Sequence, residues 1–172
     1  MKTDPVLNNK RRIDLEITKV DKDHHDVLLN GAVFEVRDLT TKKDLGILVS
    51  GKLAYRGTAA GEEYEIADNE EFKGTIRKAK TDETKEIILN VSAGTYYLRK
   101  AGSSDCIKLV VADGKAILAD AVYGHEYEFK EIDAPASYDL AGPKVFKAEG
   151  KEKATGLFEN KRTEVPNTGI CD

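Results

Sequence analysis

The stretch Arg12-Ile13-Asp14-Leu15-Glu16-Ile17-Thr18-Lys19-Val20-Asp21 alternates between polar and apolar residues over most of its length. Residues two apart in a β-strand share a face, so the apolar residues of this stretch point the same way as Lys19. The pattern predicts a strand whose buried face would carry the Lys19 amine into the core.

Two later stretches direct a reactive side chain inward in the same way. In Tyr127-Glu128-Phe129-Lys130-Glu131, the Glu131 carboxyl shares a face with two aromatic rings. In Phe158-Glu159-Asn160, the Asn160 carboxamide shares a face with Phe158. Burying any one of these polar groups alone would be costly. The three together therefore predict a reaction centre rather than three separate faults in the core.

The whole chain is rich in strand patterns separated by turn residues, which predicts an all-β fold of the sandwich type. Lys144–Ala148 and Ala154–Lys161 are the last two such patterns. Asp113-Gly114, between two apolar runs, is a strong signal for a short hairpin. Cys106 opens one of these runs and is expected to be an inert thiol in the core, since two cysteines make no disulfide framework.

The middle of the chain, about 45–105, is less regular and predicts a large insertion between early strands. Within it, Asn69–Lys80 has two interpretations. Phe72, Ile76 and Ala79 have helical spacing after a possible Asn69 N-cap, which favours a short helix. A strand through Phe72 and Ile76 fits equally well.

Composition narrows the classes of protein. The 172 residues carry a formal charge of −4, with 34% charged residues of both signs, which argues against nucleic acid and anionic membranes as partners. Residues 1–11 are polar and predict a linker, and Met1–Pro5 lacks the apolar run of a signal peptide. The chain is therefore expected to be either cytosolic or an excised piece of an exported protein.

The three inward side chains suit one reaction. Burial favours the neutral forms of an amine and of a carboxylic acid. A neutral Lys19 could attack the Asn160 carboxamide while Glu131 polarises the carbonyl of that carboxamide and moves protons, so that ammonia leaves. The product would be an amide that ties the first strand to the last. It would form once per molecule, so no turnover and no enzyme activity are expected.

Several segments carry a resemblance to a known family: Ile17–Asp21, Leu29–Val36, Tyr127–Tyr138 and Phe158–Lys161. They resemble the opening, the acid-bearing segment with its Ala-Pro-x-x-Tyr loop, and the closing strand of collagen-adhesin B-type (SpaA-like, prealbumin-like) domains of Gram-positive pilins and adhesins. The resemblance implies an immunoglobulin-like or prealbumin-like sandwich over residues 12–163.

The same resemblance assigns roles in an intramolecular isopeptide bond. It implies Lys19 as nucleophile, Glu131 as catalytic acid and Asn160 as acceptor. It covers about 12–40 and 106–163 and gives no guidance for the insertion. Ser137 stands where the family usually has glycine, which affects the loop rather than the three reactive residues.

Residues 164–172 contain Val165-Pro166-Asn167-Thr168-Gly169, which resembles the LPxTG sorting signal with valine in place of leucine. The resemblance implies a sortase that cleaves after Thr168 and passes its acyl group to peptidoglycan or to a neighbouring pilin subunit. The signal usually continues into an apolar span and a basic tail, so a truncated signal is expected here. An extracellular, cell-wall-anchored location follows.

These observations predict a stalk or shaft module stiffened by the Lys19–Asn160 bond. The alternative is a ligand-binding adhesin whose 45–105 insertion binds host matrix or glycan. No cofactor or metal is expected. The ligand-type side chains of the turn after the first strand are interpreted as a solvated turn: Asp21, Asp23, His24, His25 and Asp26.

Overall fold

The computed structural model describes residues 10–164 and contains thirteen β-strands. In chain order they are β1 Arg12–Asp21, β2 Val33–Asp38, β3 Lys43–Val49, β4 Leu53–Arg56, β5 Glu63–Ala67, β6 Arg77–Lys80, β7 Glu86–Leu89, β8 Gly94–Lys100, β9 Ile107–Val111, β10 Lys115–Val122, β11 Glu126–Asp133, β12 Lys144–Lys147 and β13 Lys153–Asn160. No helix occurs in this part of the chain, and so none that could cross a membrane. The predicted all-β sandwich is confirmed.

Two sheets form the sandwich, one with the order β10-β1-β13 and the other with the order β12-β11-β2-β3. Their inner faces share one apolar core, in which alternate residues of each strand are buried. Phe34 of β2 lies at its centre, with its ring edge-on to Phe158 of β13 at 4.9 Å and to Phe129 of β11 at 5.7 Å. Phe129 and Phe158 share their strand faces with Glu131 and Asn160, and the same two rings therefore pack the two sheets together.

The first strand of the chain lies beside the last. β1 pairs with β13 in parallel, from Asp14 opposite Lys153 to Asp21 opposite Asn160, and with β10 in the antiparallel sense. Parallel neighbours need a long connection between them. Here that connection contains the rest of the domain.

Residues 53–111 form a β unit that is inserted in the chain between β3 of one sheet and β10 of the other. It comprises a two-stranded sheet, β4-β7, and a four-stranded sheet, β6-β5-β8-β9, around their own core of Leu53, Tyr64, Ile66, Ile87, Leu98 and Val111. The sequence pattern placed the insertion at about 45–105. In the structure β3 pairs with β2 and stays in the sandwich, while β9 pairs with β8.

Two sequence expectations about this region are wrong, and a third holds only in part. Asn69–Lys80 is not helical: the Asn69 carboxamide closes a turn on the backbone of Lys73, Phe72 has a φ of 53°, and β6 follows. Asp113-Gly114 does form the expected tight turn, with the Lys115 N–H donating to the Ala112 carbonyl at 3.1 Å, but the pairing ends at this bridge because β9 and β10 belong to different sheets. Cys106 is only partly buried and lies before β9 rather than in the core.

The root of the insertion is held by Asn30. Its Nδ2 donates to Asp113 Oδ1 at 2.7 Å and its Oδ1 accepts from the Gly114 N–H at 2.7 Å. A side chain on Gly51, where the chain leaves the sandwich, would collide with the Asn30 carboxamide. Asn30 therefore joins the exit and the return of the insertion.

Candidate functional site

Lys19, Glu131 and Asn160 are brought together inside the sandwich. Their exposed fractions are 0%, 2% and 1%, although each carries a polar or charged end group. Lys19 and Asn160 lie on the adjacent strands β1 and β13, and Glu131 comes from β11 in the opposite sheet. The alternation of each strand explains the placement, because each residue continues a buried apolar face.

Glu131 lies between the other two. Its Oε1 accepts hydrogen bonds from the Asn160 Nδ2 at 2.7 Å and from the Ala141 N–H at 2.9 Å. Its Oε2 lies 3.9 Å from the Lys19 Nζ and has no hydrogen-bond partner. One carboxyl group thus faces the amine with one oxygen and the carboxamide with the other.

The orientation of the Asn160 carboxamide is fixed by chemistry. The atom that contacts Glu131 also lies 2.7 Å from the backbone oxygen of Asp139. A backbone carbonyl can only accept, so this atom must be the amide nitrogen. The Asn160 Oδ1 is then left buried without a partner. Glu131 therefore contacts the nitrogen of the carboxamide, rather than the carbonyl that the sequence argument assigned to it.

The surroundings of Lys19 disfavour the charged form of its amine. Its Nζ donates to the Phe158 carbonyl at 3.2 Å and lies 5.1 Å from the centre of the Phe158 ring. Desolvation lowers the pKa of Lys19 from 10.5 to about 8, and the nearby Glu131 and Glu159 oppose this shift only in part. A lysine in this environment releases its proton far more readily than one in water.

Two buried polar atoms without partners, in one cluster, are unusual in a folded protein. Each costs free energy that a well-packed apolar core would not lose. The site where a nucleophile, a proton carrier and a carboxamide acceptor meet is therefore energetically costly. Strained or unsatisfied groups of this kind cluster at sites where chemistry occurs.

Sequence reasoning missed the groups that surround the trio. The Asp139 carbonyl and the Ala141 N–H are backbone groups of the loop after β11, and no pattern of side chains predicts their contacts. It also missed the role of Asp21, which is buried and whose Oδ2 accepts from the Tyr138 hydroxyl at 2.7 Å. Tyr138 was visible only as part of the Ala-Pro-x-x-Tyr loop.

The turn that follows β1 is organised by Asp21. Its Oδ1 accepts from the backbone N–H groups of Asp23 and His24, a common turn geometry. The hydrogen bond from Tyr138, with these backbone contacts, lowers the pKa of Asp21. Across residues 10–164, no group of three or more potential ligand side chains that could hold a metal ion is found.

Some sequence predictions fall on residues that the structure does not describe. The motif Val165–Gly169 and Cys171 lie beyond residue 164, and most of the 1–11 linker precedes residue 10.

No protein-family model and no curated protein matches this chain. Among solved structures it is similar to the group B streptococcus pilus 2b backbone protein, at 16% identity and a TM-score of 0.43, covering 94% of this chain and 44% of that one. It is also similar to the shaft pilin SpaA from Lactobacillus rhamnosus GG, at 15% identity and 0.44, covering 92% and 48%. Domains D2 and D3 of the major pilin SpaD from Corynebacterium diphtheriae match at 12% and 0.34, covering 89% and 48%.

This chain spans about half the length of these matched structures. Sequence identities and TM-scores of this size support no inference about function.

Proposed function

We propose that this chain is a structural module of a cell-wall-anchored pilin or surface protein, stabilised by an autocatalytic isopeptide bond between Lys19 and Asn160. The observation that carries the proposal is the position of Glu131. Its two carboxyl oxygens face the Lys19 amine and the Asn160 amide nitrogen inside a water-excluded core. This is the arrangement that a proton carrier between nucleophile and leaving group needs.

The reaction begins with proton transfer from Nζ of Lys19 to Oε2 of Glu131, which leaves a neutral amine and a neutral acid. The Nζ lone pair then attacks Cγ of Asn160, and the C–O double bond opens towards Oδ1. The C–O double bond reforms as the bond from Cγ to Nδ2 breaks. The departing nitrogen takes a second Nζ proton and the Glu131 proton, and it leaves as ammonium, the protonated form of ammonia. Glu131 passes these protons and ends unchanged as a carboxylate, and no external reactant is consumed.

Packing supplies much of the rate, because the core shared by the two sheets holds the strands of the three groups together. The bond forms once in each molecule, so the chemistry is self-modification and the chain is not an enzyme with turnover. Its benefit is mechanical. A covalent tie between β1 and β13 carries tension past the strands and the insertion that lie between them in the chain.

The surface location is proposed from the sequence. Val165-Pro166-Asn167-Thr168-Gly169 follows the sandwich directly, as a sorting signal would. Sortase is the partner that this signal implies. The acyl group of Thr168 would pass to peptidoglycan or to a neighbouring pilin subunit, which makes the protein extracellular and anchored to the cell wall.

Intact-mass spectrometry tests the isopeptide bond. The folded protein should be lighter than its sequence mass by one ammonia, and Lys19→Ala should have its full sequence mass. Fragmentation of a digest should then yield one branched peptide that contains both Lys19 and Asn160. A wild-type protein at its full sequence mass would overturn the proposal.

The Lys19→Ala control also excludes another source of the same mass change. Asn30-Gly31 can lose ammonia by forming a cyclic imide, which needs no lysine. Only a loss that disappears in Lys19→Ala therefore reports the proposed bond.

A ligand-binding role for the insertion is the second candidate. The observation that favours it is an open cleft of about 670 Å³ on the inserted unit, lined in part by Arg77, Asn90 and Tyr96. A chain in which residues 53–111 are replaced by a short Gly-Ser linker would separate the two functions. Loss of adhesion to host matrix or glycans with the mass loss retained supports an adhesin, and unchanged adhesion excludes it.

A further inference from the structure

The loop between β11 and β12 covers the reaction centre and contacts two of its members. The backbone carbonyl of Asp139 accepts from the Asn160 Nδ2 at 2.7 Å, and the Ala141 N–H donates to the Glu131 Oε1 at 2.9 Å. We define residues 138–141 as the cover loop. It supplies two of the three hydrogen bonds that hold Glu131 and the Asn160 carboxamide.

One side-chain hydrogen bond attaches the cover loop to β1. The Tyr138 hydroxyl donates to the Asp21 Oδ2 at 2.7 Å, and Asp21 lies two residues after Lys19 on the same strand. Backbone bonds attach the loop to the chain after Asn160, from the Asp139 N–H to the Lys161 carbonyl and from the Thr163 N–H to the Ser137 carbonyl. The loop thus touches the strands of all three reactive residues.

The orientation of Asn160 depends on this loop. The terminal torsion of an asparagine is broad and nearly two-fold, so the side chain itself prefers neither orientation. Once Glu131 has taken the Lys19 proton, it can donate to Oδ1 or accept from Nδ2, and so it tolerates both orientations. The Asp139 carbonyl can only accept a hydrogen bond. It therefore permits only the carboxamide orientation in which the leaving nitrogen faces Glu131.

We propose that the Tyr138–Asp21 hydrogen bond is a positioning contact for cross-linking: it closes the cover loop, which turns the leaving nitrogen of Asn160 towards Glu131. This inference rests on the proposed isopeptide reaction. Tyr138 and Asp21 touch none of the reacting atoms, and they act through Asp139 and Ala141. Their loss slows bond formation while the sandwich still folds.

The test measures the rate of bond formation. The chain is made by cell-free synthesis, samples are quenched in acid at intervals, and the fraction lighter by one ammonia is followed by mass spectrometry. Tyr138→Phe keeps the ring beneath the Arg162 guanidinium and removes the hydroxyl, which donates to Asp21 and also accepts from the exposed Arg162 Nη2 at 3.3 Å. A hydrogen bond to a charged group of this kind predicts a rate lower by roughly tenfold to a hundredfold.

Matched variants separate positioning from a general loss of stability. Tyr96→Phe removes a comparable hydroxyl, which donates to the Ser92 carbonyl at 2.6 Å in the insertion, and should leave the rate unchanged. Asp21→Ala also removes the turn contacts from the Asp23 and His24 N–H groups, so it should be at least as slow as Tyr138→Phe. The double variant should be no slower than Asp21→Ala, because the Tyr138 hydroxyl has then already lost its partner on β1. Asp21→Asn can still bond the Tyr138 oxygen through its amide and should restore most of the rate.

The outcomes distinguish this inference from the function on which it rests. If the wild-type chain never loses ammonia, the isopeptide proposal fails and the positioning role fails with it. If the wild-type chain cross-links and Tyr138→Phe does so at the same rate, only the positioning role is overturned. Additive slowing in the double variant would also overturn it, because the two residues would then act separately.

Discussion

The Lys19 Nζ and the Glu131 Oε2 face each other across the sandwich at 3.9 Å, and both side chains are fully buried. The separation is too long for a hydrogen bond. A buried ion pair with such geometry would recover little of the cost of desolvating its two charges. The two groups therefore gain little from staying charged, which favours the proton transfer from Lys19 to Glu131 with which the proposed reaction begins.

Replacing Glu131 by Gln should leave the fold intact and the bond unformed. The oxygen of the introduced carboxamide can still accept from Ala141 and Asn160, but an amide cannot take up the Lys19 proton. The intact mass should equal the sequence mass, with an unchanged circular dichroism spectrum. Glu126→Gln, an exposed change on the same strand, should still lose ammonia. A cross-linked Glu131→Gln protein would show that this residue has been given the wrong role.

The bond should make the protein much harder to unfold. Linking residues 19 and 160 closes most of the chain into a loop, and the chain-entropy model values a loop of this size at about 5 kcal/mol. Urea unfolding should show this difference between the wild-type protein and Glu131→Gln. Lys19→Met, which keeps an apolar stem in the core, should show a similar deficit. Equal free energies of unfolding in cross-linked and uncross-linked forms would refute this account.

The uncross-linked protein should become more stable as the pH rises through the alkaline range. Lys19 has a pKa of about 8 when folded against an ordinary value of 10.5, so between these values the unfolded chain binds a proton that the folded chain has released. The free energy of unfolding of Asn160→Ala, which cannot cross-link, should therefore rise between pH 8 and 10.5, by about 3 kcal/mol at most.

The matched control is Asn160→Ala combined with Lys19→Met. It lacks the titrating amine, so the difference between the two variants isolates Lys19 from tyrosines and other lysines. A difference that stays flat over this range would show that Lys19 is not desolvated in the folded protein.

Ser137→Gly should stabilise the fold by about 0.5–1 kcal/mol. Ser137 has a φ of 72°, in the left-handed region where a Cβ is strained and glycine is not. Its side chain is exposed, and its backbone carbonyl, which accepts from Thr163, is unaffected by the change. Urea unfolding in the Glu131→Gln background measures the effect. Ser104→Gly, at a residue without a positive φ, should instead be neutral or slightly destabilising.

Gly51→Ala should destabilise the root of the insertion by about 2–3 kcal/mol. Gly51 has a φ of 74°, and an added Cβ would collide with the Asn30 carboxamide. In an Asn30→Ala background the two closest atoms are gone and only the Cβ of residue 30 remains, at 3.0 Å from the added carbon, so the cost of the same change should fall to about 1 kcal/mol. Both pairs can be compared by urea unfolding of Glu131→Gln proteins. Equal costs in the two backgrounds would mean that Asn30 does not restrain this turn.

The sandwich and the reactive trio were accessible from the sequence because both depend on alternation along a strand. Arg12–Asp21 is β1 with the same bounds, and the phase of Glu131 in β11 is the one predicted. The roles of the three residues were assigned from the family resemblance and stay proposals. The inward direction of their side chains could be predicted from the two-residue period of a β-strand alone.

The pairing of distant strands was not accessible in the same way. Ile107–Val111 and the strand from Lys115 were both recognised, but nothing local shows that the first pairs with β8 and the second with β1. The helical interpretation of Asn69–Lys80, one of the two that the pattern allowed, is wrong because the Asn69 side chain closes a turn instead of capping a helix. The Asp139 and Ala141 contacts are made by backbone atoms, which every residue has, so only coordinates could reveal them.

The parallel pairing of β1 with β13 determines how a load from the two ends of the domain meets the fold. One end enters at the start of β1 and the other leaves at the end of β13, so pulling slides the two strands past each other along their lengths. Their ladder of hydrogen bonds is then strained all at once, as in shear, and cannot open one rung at a time like a zipper. Asn160 stands at the last rung, beside the exit of the chain, where a covalent bond would stop that sliding before it starts.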